Sequence, residues 1–123
     1  IGFCLVGSEM CIRDRDGLAL EFNKRGGVGI ISVTANIAPK QCSDMQKFSK
    51  SMNSDDIKKA EHIDKSLQPL HKSLFIESNP APVKYAAKIL GLCDDEIRLP
   101  LVNIQKKTEE EVNKALSLAK LVD

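Results

Sequence analysis

The chain has 123 residues, enough for one domain, and 42% of them are hydrophobic and 28% charged, as in an ordinary globular protein. A net charge of +1 without a basic cluster argues against a nucleic-acid or membrane-surface partner. The four cysteines form no C-x-x-C pair and stand apart from both histidines, so we expect no metal site. Cys42 and Cys93 are expected to be reduced, at least partly buried structural thiols of a cytoplasmic protein.

The first fifteen residues do not read as native protein sequence. Residues 5–14 resemble a translated transposon-end adapter used to prepare sequencing libraries, and Arg15 fits the incomplete codon that would follow. The segment also shows neither helical nor strand periodicity. We expect residues 1–15 to be an adapter artefact that joins a truncated reading frame at Asp16. The alternative is an irregular native N-terminus.

The next stretch predicts a helix, a strand and a helix. Residues 16–25 suit a short helix that stops at the Gly-Gly pair 26–27. Residues 28–34, Val-Gly-Ile-Ile-Ser-Val-Thr, are typical of a strand buried on both faces of a parallel sheet. Pro39 then opens a helix that runs to about Lys50. No neighbouring strand is evident in the chain, so the pattern itself predicts that a sheet is missing.

The second half of the chain reads as three helices. Ser54 is the expected N-cap of a long helix, in which Pro69 should introduce a kink. The apolar stripe of this helix comprises Ile57, Ala60, Ile63, Leu67, Leu70 and Leu74. A further helix is expected to end at Gly91, and Thr108 with Glu111 predicts a capping box at the start of the last one.

Three stretches carry a family resemblance. They are Gly-Gly-Val-Gly-Ile-Ile-Ser-Val-Thr-Ala-Asn at 26–36, Pro-Leu-His-Lys-Ser-Leu-Phe-Ile-Glu-Ser-Asn-Pro-Ala-Pro-Val-Lys at 69–84, and Leu-Gly-Leu at 90–92 followed by Arg-Leu-Pro-Leu at 98–101. In this order and spacing, residues 16–121 resemble the C-terminal third of the dihydrodipicolinate synthase / N-acetylneuraminate lyase family. The first two stretches favour the dihydrodipicolinate synthase branch.

The resemblance implies an α/β fold, a (β/α)8 TIM barrel followed by an appended helical domain. Residues 28–34 would be the last barrel strand, and residues 16–51 the end of the barrel with its flanking helices. Residues 52–123 would form the C-terminal helical domain. The chain is therefore expected to be mostly α-helical, with one strand.

The implied chemistry is that of a lyase of lysine biosynthesis. A barrel-strand lysine forms a Schiff base with pyruvate, and the resulting enamine attacks aspartate semialdehyde to give 4-hydroxy-tetrahydrodipicolinate. No cofactor is implied, and the family commonly forms homotetramers. The lysine and a tyrosine proton relay lie upstream in the family, so the chain should be inactive as written. Lys24, Lys40 and Lys84 lie on or beside predicted helices and are not candidates.

Ile31 is the predicted substrate-binding residue. It matches the family position whose backbone carbonyl contacts pyruvate, and it is also expected to be a core isoleucine. Thr34 and Asn36 follow the strand; they would line the site mouth or, as we favour, make loop hydrogen bonds. His62 and His71 are nearly half a turn out of phase on one helix and cannot share a metal, so we expect surface or interface side chains.

Two other functions remain open at this stage. One is a related pyruvate aldolase with a different aldehyde acceptor, of the N-acetylneuraminate lyase type. The other is a non-catalytic helical interaction module, which requires residues 1–15 to be genuine and the strand to be covered by something other than a barrel. Such a module should fold cooperatively on its own, whereas a barrel fragment should expose apolar surface.

Overall fold

A computed structural model describes residues 12–13 and 16–122 of the chain. The described elements, in chain order, are β1 (Ile12–Arg13), α1 (Ala19–Lys24), β2 (Gly29–Ile30), α2 (Pro39–Ser49), α3 (Ser54–Ser73), α4 (Ala81–Ile89) and α5 (Lys106–Leu118), with 3-10 turns at Asp16–Leu18 and Thr34–Asn36. Most of the predicted adapter segment, residues 1–15, lies outside the described residues, and its origin stays a prediction.

The two short strands form a parallel pair. Ile12 lies opposite Gly29 and Arg13 opposite Ile30, with α1 on the connection between the strands. The arrangement is that of a βαβ unit, although β1 belongs to the predicted adapter segment, residues 1–15. Within the remaining chain, α2 follows β2 as the next helix of a (β/α)8 barrel would. The periodicity indicated no neighbour for the strand, whereas the structure pairs it with β1. The regular ladder is also shorter than the predicted 28–34, because the chain turns away after Ile31.

The glycine pair ends α1 as predicted. Gly26 has a φ of +95°, a left-handed conformation that glycine adopts without a steric penalty. The amide of Gly27 donates to the carbonyl of Phe22 at 2.9 Å. A Cβ on Gly27 would lie 2.4 Å from the Phe22 ring, so this position requires glycine for close packing.

Two predicted helix starts are wrong. Asn53 caps α3, because its side-chain oxygen accepts from the amide of Asp55 at 2.9 Å, and Ser54 is the first helical residue. The last helix, α5, already begins at Lys106, so Thr108 lies inside it and is buried rather than capping. The long helix α3 continues through Pro69 to Ser73.

The core consists of two clusters that share α3. The larger comprises Ile37, Ala38, Cys42, Leu67, Leu70, Leu74, Val83, Ala86, Val112, Ala115, Leu116 and Ala119. The smaller comprises Ala19, Leu20, Met45 and Ala60, and Ile30, Phe48 and Ile63 pack against it. Five of the six residues predicted for the apolar stripe, all except Ile57, thus lie in or against the core. The helix α3 packs against α1, α2 and α5. Within residues 16–122, no helix is long and apolar enough to cross a membrane.

Candidate functional site

The strand β2 has one face covered by helices and one open face. The side chain of Ile30 packs against the smaller core cluster, to which α1, α2 and α3 contribute. Because side chains alternate along an extended chain, Ile31 is directed to the opposite side. The described residues leave Ile31 69% exposed. In a (β/α)8 barrel this second face is the interior, and the C-terminal end of the strand borders the active site.

The chain turns tightly from β2 into α2. The amide of Ala35 donates to Oγ of Ser32 at 2.9 Å, and Nδ2 of Asn36 donates to the carbonyl of Val33 at 3.0 Å. These are short-range hydrogen bonds of the kind that serine and asparagine make in turns. The loop-bonding interpretation of Asn36 is therefore confirmed.

A buried hydrogen bond ties this turn to α3. Oγ1 of Thr34 lies 2.7 Å from Nδ1 of His71, 37 residues later in the chain. Thr34 has no exposed surface and His71 is 6% exposed. Because this bond joins Thr34 to another helix, it is not the loop hydrogen bond that we favoured for Thr34. We call the two residues the Thr34–His71 pair.

The surface prediction for His71 is wrong. The side chain of His71 is buried, whereas His62 is exposed as expected. A signal for this burial was present in the sequence, because Leu67, His71 and Leu74 follow each other at helical steps of four and three. What the sequence did not supply was the partner, since the pairing with Thr34 is a long-range contact.

Lys24, Lys40 and Lys84 do not have the environment of a Schiff-base nucleophile. Such a lysine needs a lowered pKa. Nζ of Lys24 instead lies 2.7 Å from Glu61, and the hydrogen bond to that carboxylate raises the pKa of Lys24. Lys84 donates to the carbonyl of Glu96 at 2.9 Å, and Lys40 is exposed. These three lysines are therefore poor candidates for covalent catalysis, and substrate contact by Ile31 stays a prediction.

The described thiols and acidic groups form no further candidate site. Cys42 is buried as expected, but Cys93 is exposed, because it follows Gly91 into an irregular loop. Cys4 and Cys11 lie outside the described residues. In the described part of the chain, no cluster of three His, Cys, Asp or Glu side chains is placed to hold a metal ion.

Comparison with known proteins gives consistent matches. The Dihydrodipicolinate synthetase family matches residues 8–119. A 4-hydroxy-tetrahydrodipicolinate synthase of Pelagibacter ubique is 64% identical over 107 residues, which are 87% of this chain and 36% of that protein. The enzyme of the same name from Parvibaculum lavamentivorans is 48% identical over 119 residues, 96% of this chain and 40% of that protein.

Solved structures of dihydrodipicolinate synthases also superpose well on this chain. Dihydrodipicolinate synthase from Aquifex aeolicus superposes with a TM-score of 0.84 at 33% identity, covering 95% of this chain and 39% of that one. The chloride-inhibited synthase from Acinetobacter baumannii, complexed with pyruvate, superposes with a TM-score of 0.82 at 38% identity, covering 90% of this chain and 37% of that one.

These matches define the class of protein: the chain belongs to the dihydrodipicolinate synthetase family. Both curated relatives are named 4-hydroxy-tetrahydrodipicolinate synthase, in agreement with the branch favoured by the residue runs. The chain spans little more than a third of their length. The predicted fold class, a mostly helical portion of a TIM-barrel enzyme, is confirmed.

Proposed function

We propose that this chain is the C-terminal third of a 4-hydroxy-tetrahydrodipicolinate synthase. The observation that carries the proposal is the 64% identity to the Pelagibacter enzyme over 107 residues. The open face of β2, which lies within residues 16–123, supports it, because that face requires further barrel strands to cover it. The proposed division is a barrel end at residues 16–51 and a helical domain at residues 52–123.

The proposed reaction begins with an upstream lysine. Its amine attacks C2 of pyruvate, water leaves, and a Schiff base forms. Loss of a proton from C3 gives an enamine, whose C3 attacks the aldehyde carbon of aspartate semialdehyde. The amino group of the semialdehyde part then attacks the C2 imine carbon and displaces the lysine amine, which closes the ring, frees the lysine and releases 4-hydroxy-tetrahydrodipicolinate. Lys24, Lys40 and Lys84 are not placed to start this reaction, so we expect residues 16–123 alone to be inactive.

We assign substrate contact to Ile31. Its backbone carbonyl would meet pyruvate at the C-terminal end of β2, where barrel enzymes build their sites. The exposure of Ile31 on the open face supports this assignment. We further propose that the enzyme is a cytoplasmic homotetramer, which light scattering on the full-length protein would test.

The decisive experiment is to read the contiguous genomic DNA upstream of the Asp16 codon. The protein encoded by that complete reading frame is called the full-length protein below. We expect it to contain a barrel with a strand-borne lysine and to consume pyruvate and aspartate semialdehyde together. Substitution of that lysine by alanine is the matched control and should abolish turnover.

Two outcomes contradict the proposal. If residues 5–15 are encoded in the genome, the adapter prediction is wrong and the interaction-module alternative gains support. If the full-length protein turns over pyruvate only with another aldehyde, the acceptor assignment fails and a lyase of the N-acetylneuraminate type is the better description. A chimera that joins residues 16–123 to the first two thirds of the Pelagibacter enzyme tests independently whether these residues complete a working barrel. An active chimera would support the proposal.

A further inference from the structure

We propose that His71 is a positioning residue of the active site, which acts through Thr34 to fix the strand end that carries Ile31. The inference rests on the proposed function, because the reaction it concerns is the pyruvate condensation. It assigns to the helical domain a direct part in holding the substrate site.

The Thr34–His71 pair connects α3 with the turn between β2 and α2, which we call the substrate turn. The hydroxyl of Thr34 and Nδ1 of His71 are 2.7 Å apart, and both side chains are buried. Bulk water therefore does not replace either partner when the bond is broken, and a buried polar group left without its partner is costly. Such a bond holds the turn in one position more firmly than an exposed bond of equal length would.

The helix at the other end of the bond is itself well fixed. Leu67, Leu70 and Leu74 flank His71 on α3, and all three are fully buried. Nε2 of Gln68 donates to the carbonyl of Gly17 at 3.1 Å, which attaches the same turn of α3 to the start of the barrel segment. The imidazole thus projects from a rigid element onto the turn.

Thr34 also controls the backbone around it. Its carbonyl accepts from the amides of Ile37 and Ala38, at 3.0 and 2.9 Å, so the residue belongs both to the turn and to the start of α2. Only two residues separate Thr34 from Ile31. A shift of Thr34 is therefore passed along a short, hydrogen-bonded segment to the Ile31 carbonyl, and small misplacements at a reacting centre reduce rates strongly.

The test uses two amide substitutions of His71 in the full-length protein. In His71→Asn the amide takes roughly the place of Nδ1 and still reaches Thr34. In His71→Gln the amide extends toward the position of Nε2, beyond Thr34. Both variants are uncharged and polar, so they differ mainly in whether the hydrogen bond survives. His62→Gln, at an exposed position of the same helix, is the control.

We expect His71→Gln to raise the KM for pyruvate by about 10-fold or more, with a smaller change in the KM for the aldehyde. His71→Asn should recover most of this loss, and His62→Gln should show none. Thr34→Val should behave like His71→Gln, and Thr34→Ser should behave like His71→Asn. Melting temperatures measured in parallel separate a loss of stability from a loss of pyruvate affinity.

The proposal is overturned if the two amide variants have the same KM for pyruvate, whatever their stability. If either does not fold, the Thr34→Val and Thr34→Ser pair decides on the same criterion. An unsubstituted full-length protein that neither binds nor turns over pyruvate refutes the proposed function instead. An active protein whose variants are indistinguishable refutes only the role of His71.

Discussion

Nε2 of Gln68 donates two hydrogen bonds of 3.1 Å, one to the carbonyl of Gly17 and one to Oδ1 of Asp64. The first bond crosses from α3 to the 3-10 turn that precedes α1, 51 residues earlier. The second bond lies within α3 and orients the amide. Asp64 therefore supports the contact between α3 and the 3-10 turn before α1, although neither of these two bonds joins Asp64 to Gly17.

Asp64→Asn should stabilise the protein at neutral pH. Burial raises the pKa of the Asp64 carboxyl above its usual 3.8, in spite of the hydrogen bond from Gln68 and the nearby His71, which lower it. A raised folded-state pKa means that stability from this group is complete below its unfolded pKa and is lost as the pH rises through its folded pKa. Asparagine keeps an acceptor for Gln68 without the charge.

Thermal unfolding measured from about pH 3 to about pH 8 checks the prediction for Asp64→Asn, because this range includes the usual pKa of a carboxyl group. The melting temperature of the variant should exceed that of the unsubstituted protein at pH 7, and the difference should disappear at the acidic end. A variant that is less stable at pH 7 would show that the charge of Asp64 is favourable in the fold.

Glu61→Gln should have the opposite effect. The hydrogen bond from Lys24, at 2.7 Å, lowers the pKa of Glu61. A lowered folded-state pKa gives stability that is present above the unfolded pKa of 4.5 and is lost as the pH falls through the folded pKa. We expect a small fall in melting temperature at pH 7, which vanishes in acid and shrinks in about 1 M salt.

Glu21→Gln is the matched control for the ion pair. Glu21 lies 3.9 Å from the same Lys24 ammonium, a weaker contact within α1. Its substitution should change the melting temperature less than Glu61→Gln does. If the two substitutions lower the melting temperature equally, the Lys24–Glu61 pair between α1 and α3 stabilises the protein no more than the Lys24–Glu21 contact within α1 does.

Gly91→Ala should cost about 1 kcal/mol, because Gly91 has a φ of +75° that an L-residue with a Cβ adopts at a penalty. The amide of Gly91 donates to the carbonyl of Lys88 at 2.9 Å and that of Leu92 to Ala87 at 2.9 Å, which close the end of α4. An added Cβ meets nothing within 4 Å, so the cost is conformational and not steric.

Gly91→Asn should recover about half of that cost, because asparagine tolerates the left-handed region better than alanine. Gly17→Ala is the control, since its Cβ would make an ordinary 3.6 Å contact with Gln68 and no positive φ is involved. Urea unfolding of the three variants measures the free energies. Equal losses for alanine and asparagine at position 91 would contradict the conformational explanation.

Local sequence signals predicted the local features of the fold. Gly26 and Gly91 both end helices with positive φ. Four residues of the predicted stripe, Ala60, Leu67, Leu70 and Leu74, are buried where helical spacing placed them. The errors at helix starts are also local. Asn53 and Ser54 are both good capping residues, and the chemistry of either residue alone does not choose between them. At Thr108 the capping pattern coincided with a residue on the buried face of α5.

Long-range pairings were not predictable in the same way. The resemblance placed Ile31 at the end of a barrel strand, but no local pattern connects Thr34 with His71 or Gly17 with Gln68. These contacts depend on how α3 lies across the βαβα segment, which follows from packing of the two core clusters. The contacts of α3 with Thr34 and Gly17 therefore could not be predicted from the sequence pattern of any one helix or strand.

The open face of β2 gives the sharpest test of the barrel-fragment interpretation. Residues 16–123 expressed alone should bind a hydrophobic dye and self-associate, because Ile31 is 69% exposed without further strands. Ile31→Glu should reduce dye binding in the isolated chain. The same substitution in the full-length protein should impair folding or pyruvate binding, because a carboxylate would then lie inside the barrel.

Met52→Glu is the control for this pair of experiments, since Met52 is fully exposed outside the helices and should tolerate a charge in both contexts. In the isolated chain, Ile31→Glu should improve behaviour relative to Met52→Glu, because it lowers dye binding. In the full-length protein, Ile31→Glu should be the more damaging of the two substitutions. If Ile31→Glu is as harmless as Met52→Glu in the full-length protein, nothing covers the open face. In that event the interaction-module alternative would explain the chain better than a barrel does.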